Sequence, residues 1–177
     1  MKSLVIFSSQ TGFTRQYAEW IGQELNADLL TIKEAKKKDI ASYNEYDAII
    51  YGGWNMGGNL VNVEWFLENA VGWKDKKLVI YGVGATMEDA PELGEFINSI
   101  LNDEQTKYIK VFYCPGGLNY SKMNFFCRIM MKLFAMSMNK KEGLSEYEKQ
   151  KAQALLTSFD ISDRKYVEPI VAYISDK

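Results

Sequence analysis

Three features of the chain predict an α/β fold built on a doubly wound parallel sheet. Apolar runs at 3–7, 48–51, 78–83 and 108–113, with a weaker one at 29–32, have the Val, Ile, Leu, Phe and Tyr content of strands covered on both faces. Amphipathic stretches separate them, so strand and helix alternate. Right-handed crossovers then bring the glycine- and hydroxyl-rich segments that follow these strands to one edge of the sheet, where ligands of such folds bind.

Each element has its own justification. In the stretch after the first strand, Thr14, Ala18, Ile21 and Leu25 share one helical face, while Arg15, Glu19 and Gln23 lie elsewhere. Residues 61–71 place Val61, Trp65, Leu67 and Val71 among acids, with Gly72 as a stop. Residues 92–101, opened by Pro91, turn Leu93, Phe96, Ile97 and Ile100 inward. The Lys36, Lys37, Lys38 run is a solvated loop. Helices at 144–158 and from Pro169 to Ile174 close the chain, the last one covering the sheet.

The 177 residues suit one domain, 1–177, with a basic segment at 115–141 inserted in it. An apolar share of 47% and a charged share of 25% belong to an ordinary globular protein. The start is too weakly apolar for a secretory leader or a membrane span, so a cytoplasmic location is expected. Cys114 and Cys127 lack disulfide or zinc spacing and are expected to be reduced packing residues. The chain has no histidine, which excludes a histidine-based triad and every imidazole metal site. No metal and no nucleic-acid partner are expected, and the chemistry must come from a bound cofactor.

Three segments after strands carry the candidate site. Ser8, Ser9, Gln10, Thr11, Gly12, Phe13 and Thr14 follow the first strand. Gly52, Gly53, Trp54, Asn55, Met56, Gly57 and Gly58 follow the third, and Gly82, Val83, Gly84, Ala85 and Thr86 the fourth. Small residues let backbone approach a ligand closely. The first segment leads into a helix, whose N-terminal amides attract an anion without a lysine. A Walker ending and a G-x-G-x-x-G fingerprint are both absent from it, which points to a mononucleotide phosphate. Ser9, Thr11 and Thr14 either hold that phosphate or merely cap the helix.

The run Val5-Ile6-Phe7-x-Ser9-x-x-Gly12-x-Thr14-x-x-x-Ala18-x-x-Ile21 resembles the phosphate-loop signature of flavodoxins. The resemblance implies a flavodoxin-like five-stranded sheet of order 2-1-3-4-5 and FMN as cofactor. It also implies that 53–58 runs beside the isoalloxazine ring and 82–86 along its other side and edge. Trp54 either stacks on that ring or covers the edge of the core. Flavodoxin carriers usually have a second aromatic after the fourth strand, whereas Val83-Gly84-Ala85-Thr86-Met87 has none, so one flavin face is expected to be open to a substrate.

After the fifth strand, residues 105–141 carry seven Lys or Arg and no acid, leaving 14 bases and 23 acids elsewhere: +7 against −9 inside a net −2. On a helix, Asn124, Arg128, Lys132 and Ala135 form a narrow polar stripe, while Phe125, Phe126, Ile129, Met130, Leu133, Phe134 and Met138 cover most of the circumference. Such a helix lies at a membrane interface or against a hydrophobic ligand, or else is buried by the domain or by a second subunit in a homodimer. Tyr120-Ser121-x-x-x-Phe125-Phe126-x-Arg128-Ile129-Met130-x-Lys132-Leu133 resembles the insertion of the flavodoxin-like, quinone-dependent protoporphyrinogen IX oxidases of bacteria. That resemblance implies an FMN-dependent oxidoreductase passing electrons from a porphyrinogen to a quinone, peripheral on the inner face of the membrane. The alternative is a flavodoxin-type electron carrier serving a redox protein partner through its acidic remainder. Lys122, Phe126, Arg128, Met130 and Lys132 are the expected substrate or membrane contacts, the cations pairing with propionates or lipid headgroups or simply solvated. Trp54-Asn55-Met56 departs from the loop expected of an established porphyrinogen oxidase.

Overall fold

The computed structural model describes residues 1–140 and 143–176, without the side chain of Tyr147. Lys141, the end of the expected insertion, therefore lies outside the described residues, as do Glu142 and Lys177. Five parallel strands form the sheet: β1 (Ser3–Phe7), β2 (Asp28–Thr31), β3 (Ala48–Met56), β5 (Lys77–Gly84) and β6 (Ile109–Pro115), in the order β2-β1-β3-β5-β6. This is the 2-1-3-4-5 order implied by the resemblance. A short β4 (Asn59–Leu60) returns antiparallel along the end of β3.

Side-chain alternation along the strands builds two cores. Leu4, Ile6, Ile49, Tyr51, Leu78 and Ile80 face α3 (Val63–Ala70) and α4 (Leu93–Ile100). Val5, Phe7, Ile50, Val79, Tyr81 and Val83 face α1 (Phe13–Leu25) and α7 (Glu168–Ser175). Near-continuous apolar runs are what a sheet covered on both faces requires. The helix α1 buries Thr14, Tyr17, Ala18, Ile21 and Gly22, and Pro169 stands in the first turn of α7, as expected. α2 (Ile32–Ala35) is a single turn closed by a capping box between Thr31 and Glu34.

Two expectations change. The helix over 61–71 is shorter and differently phased: α3 buries Val63, Phe66 and Ala70, while Val71 is exposed. Asn62 holds a left-handed backbone, φ 61°, so the helix cannot begin at Val61. Secondly, 52–56 is strand and not loop, since pairing of β3 with β5 continues to Trp54 opposite Val83. The glycines there make room for the protein itself. A Cβ on Gly52 would collide with the Tyr81 ring, and one on Gly53 would stand 2.8 Å from Leu60 Cγ. The turn between β3 and β4 needs Gly57 and Gly58, at φ 60° and 91°, the signature of a type I′ hairpin.

The insertion folds beside this sheet. β7 (Gly117–Leu118) pairs antiparallel with β8 (Phe159–Asp160), and between them run α5 (Phe125–Asn139) and α6 (Glu146–Ala154). The helix expected over 144–158 thus ends early, and the chain turns back as β8. Leu118, Ala135 and Leu155 are the buried centre of this unit, with Met123, Met131 and Met138 packed on it.

Candidate functional site

At the carboxyl ends of β1, β3 and β5 the three predicted segments converge. Ser8 extends the sheet, its amide donating to Gly52 O at 2.8 Å, and its hydroxyl oxygen accepts from Asn62 Nδ2 at 3.0 Å. Gly12 begins α1 at φ 110°, and no side chain caps the helix. None of the hydroxyls of Ser9, Thr11 and Thr14 serves as the N-cap. The first-turn amides of α1 therefore face outward with the positive end of the helix dipole. Ser9 Oγ is buried and has no hydrogen-bond partner. A hydroxyl in that condition costs about 1–3 kcal/mol unless a ligand engages it. Thr14 is buried beneath the loop, its carbonyl accepting from the Tyr81 hydroxyl at 3.1 Å.

The second segment is the β3–β4 hairpin. Trp54 and Asn55 are half-buried, Met56 is exposed, and Asn55 Oδ1 accepts from the Gly58 amide at 2.9 Å. The third follows β5. Tyr113 clamps it, its hydroxyl donating to Thr86 O at 2.9 Å and accepting from Thr86 N at 3.1 Å. Burial raises the Tyr113 pKa to about 12, partly opposed by the Thr86 amide, so the clamp is a neutral phenol. Gly82 faces the core, where a Cβ would stand 3.1 Å from the Phe96 ring, and Val83 is buried. Gly84 is bounded by the Tyr113 hydroxyl, 2.7 Å from a Cβ there, and its carbonyl accepts from Gly116 N at 2.7 Å. Only backbone of Gly53, Gly82 and Gly84 is left to meet a ligand, while Ala85 and Thr86 are half-exposed at the edge.

The insertion reaches this edge. Gln10 Nε2 donates to Cys127 Sγ at 3.6 Å, and Ala85 packs on the insertion's small core. A cleft of about 380 Å³ separates Thr11, Gly12 and Phe13 from Asn119, Lys122 and Asp160. Another, of about 500 Å³, lies at the opposite end of the sheet near Met1 and Asp28, away from the three segments. Lys132 and Lys122 are exposed. Arg128 is not: its Nη2 donates to Ser121 O and Met123 O at 3.3 and 3.1 Å, and its Nε is buried without a partner. That guanidinium holds the approach to α5 together and is turned from the expected stripe. Inward go Met131, Ala135 and Met138, whereas Phe125, Phe126, Ile129, Met130, Leu133, Phe134 and Met136 are 41–78% exposed. The described residues thus bury one face of the helix and leave the rest of it uncovered. Cys114 and Cys127 are free, and burial pushes the Cys114 thiol far up, leaving it unreactive.

Asn62 and Tyr113, which fix two of the segments, escape sequence reasoning because their partners Ser8 and Thr86 are distant in the chain. Among the described residues no cluster could hold a metal ion, and no helix is long and apolar enough to cross a membrane. The donor set fits the phosphate of FMN: an orphan buried hydroxyl, uncapped helix amides and a glycine of positive φ.

A family model described as Flavodoxin domain matches residues 4–145. No curated protein matches. Solved structures that do include oxidised Flavodoxin 2 from Bacillus cereus, at 19% identity and TM-score 0.47, over 88% of this chain and 97% of that one. A flavodoxin from the domain Archaea matches at 13% identity and TM-score 0.46, over 99% and 100%. A flavoprotein in complex with FMN from Lactobacillus acidophilus NCFM matches at 17% identity and TM-score 0.44, over 64% and 91%.

Proposed function

We propose that this chain, which belongs to the flavodoxin domain family, is an FMN-binding electron-transfer protein. The observation that carries this reading is Ser9 Oγ, buried and unpartnered in a loop that opens into an uncapped helix. Bound FMN would supply reversible electron transfer, for which the protein has no redox group of its own. The chain's residues do the holding. Ser9 and the first-turn amides of α1 donate to the phosphate, Asn62 fixes Ser8, and Tyr113 fixes the backbone of 84–86 against which a ring can lie. Trp54 and Met56 stand on the hairpin at the same edge, and the loop 85–92 after β5 holds no aromatic residue, leaving room for a partner or substrate.

Titration with FMN tests this directly: quenched flavin fluorescence and a shifted absorbance are expected, with Ser9→Ala weakening binding by about tenfold. Unaltered flavin spectra would refute the reading.

The finer reading is an oxidoreductase taking electrons from a porphyrinogen-like substrate and giving them to a quinone, with α5 resting on a membrane. Its support is the exposed apolar face of α5 beside Lys122, Lys132 and Lys140, within a segment of charge +7. A flavodoxin-type carrier fits the same site equally well, its −9 remainder being the docking surface. Turnover of a porphyrinogen with a quinone supports the first, and exchange confined to a flavodoxin reductase supports the second. Binding to anionic vesicles should weaken with salt and vanish when 121–141 is deleted; binding that survives the deletion removes α5 from the interface.

A further inference from the structure

The β1–α1 loop contains no cation, yet one stands over it. Lys122 Nζ lies 3.8 Å from the position a Cβ on Gly12 would occupy, at the N-terminus of α1. We infer that Lys122, carried by the insertion, is a phosphate-binding residue that supplies the positive charge this loop lacks. The inference rests on the FMN reading and adds a second wall to the site.

The ammonium is delivered by an ordered turn. Asn119 Oδ1 accepts from Ser121 Oγ at 2.7 Å and from the Lys122 amide at 3.2 Å. The neighbouring Tyr120 is fixed at both ends, its amide donating to Ser158 Oγ at 3.0 Å and its hydroxyl to Leu155 O at 2.6 Å. Backbone freedom at Lys122 is thus already restricted before any ligand arrives, which lowers the entropic cost of holding an anion. None of the ion pairs among the described residues involves Lys122. Asp160 lines the same cleft, but its Oδ1 accepts from the amide of Ser162 at 2.9 Å and from the Ser162 hydroxyl.

Electrostatics gives the arrangement a purpose. Outside 105–141 the chain carries −9, a field that opposes a phosphate dianion, and a cation at the cleft offsets it locally. A phosphate held between the helix amides and Lys122 would also tie the insertion to the sheet, adding to the Gln10–Cys127 hydrogen bond, the packing of Ala85 and the Lys151–Glu92 ion pair. FMN has that phosphate and riboflavin does not, so the two ligands separate the lysine from the ring.

Dissociation constants of the full chain for FMN and for riboflavin, in Lys122→Gln and Lys122→Arg and at about 0.05 and 0.5 M salt, test the inference. Lys122→Gln should weaken FMN roughly tenfold at low salt, leave riboflavin unchanged and flatten the salt dependence, while Lys122→Arg stays within about twofold. Amide exchange of 117–125 should slow on FMN binding and not with riboflavin. Equal FMN affinity in wild type and Lys122→Gln overturns the inference and leaves the cofactor reading standing. A wild type that binds neither flavin overturns both.

Discussion

In the sheet, Leu4, Ile49 and Leu78 on one face and Val5, Ile50 and Val79 on the other are fully buried, whereas in α5 Phe125, Phe126, Leu133 and Phe134 each expose more than half of their surface. Both regions are rich in apolar side chains, so composition does not separate them. Connectivity does. The sheet is covered by helices from both ends of the chain, while among the described residues the insertion buries little more than Leu118, Ala135, Ala152 and Leu155. Burial of about 25 cal/mol per Å² then concentrates stability in the sheet and leaves the insertion among the elements that open first. A region spared from the core is free to present its apolar residues to something else.

The largest effect is expected where the sheet has no slack. Gly52 stands against the Tyr81 ring inside paired strands, and a methyl there must displace that ring or β5. Gly52→Ala should cost about 3 kcal/mol in denaturant unfolding. A loss below about 1 kcal/mol would mean that the sheet yields as readily as the insertion, and the contrast would fail.

Alkaline pH should act on the same body. Burial holds the Tyr113 pKa near 12, and raises those of Tyr17, Tyr51 and Tyr81 as well. A phenol whose pKa is raised by folding contributes stability that is whole below its unfolded value, about 10, and is lost as pH rises through the folded one. For Tyr113 alone the loss from pH 10 to 12 is about 2–3 kcal/mol. Unfolding monitored from pH 9 to 12 should therefore steepen above about pH 10. A flat profile would show these hydroxyls to be wet.

Leu155→Ala should cost about 2 kcal/mol, but locally. Hydrogen exchange in α5 and α6 should accelerate while β3 and β5 keep their protection. Equal acceleration in both would make sheet and insertion one cooperative unit.

How far the sequence discloses each region follows the same division. Apolar runs such as 78–83 specify buried strands through local pattern alone, and α1 follows from its periodicity, so order and layers are legible. The hairpin is not. Gly52 and Gly53 look like loop until Tyr81 and Leu60, which fill their missing side chains, are in place. The phosphate loop is legible as a motif, but Lys122 beside Gly12 and Asn62 on Ser8 depend on tertiary neighbours. In α5 the periodicity admits more than one inward face. Methionines and Ala135 win it over the aromatics because the insertion's partner surface is small, where Ala135 fits flush and Met131 and Met138 adapt.

The smallest effect on folding is expected on the exposed face itself, and it carries the most functional information. Phe125 and Phe126 are 78% and 69% exposed, so Phe125→Ser with Phe126→Ser removes little that the fold uses. Stability should change by no more than about 0.5 kcal/mol. Binding to anionic vesicles, by contrast, should be lost, because each phenyl contributes about 1.5–3 kcal/mol when moved out of water. Retained vesicle binding would shift the contact from the aromatic stripe to Lys132 and Lys140, and binding would then vanish in high salt. A stability loss above about 1 kcal/mol would instead mean that the stripe is covered in solution by another copy of the chain, with an unfolding midpoint that rises with protein concentration.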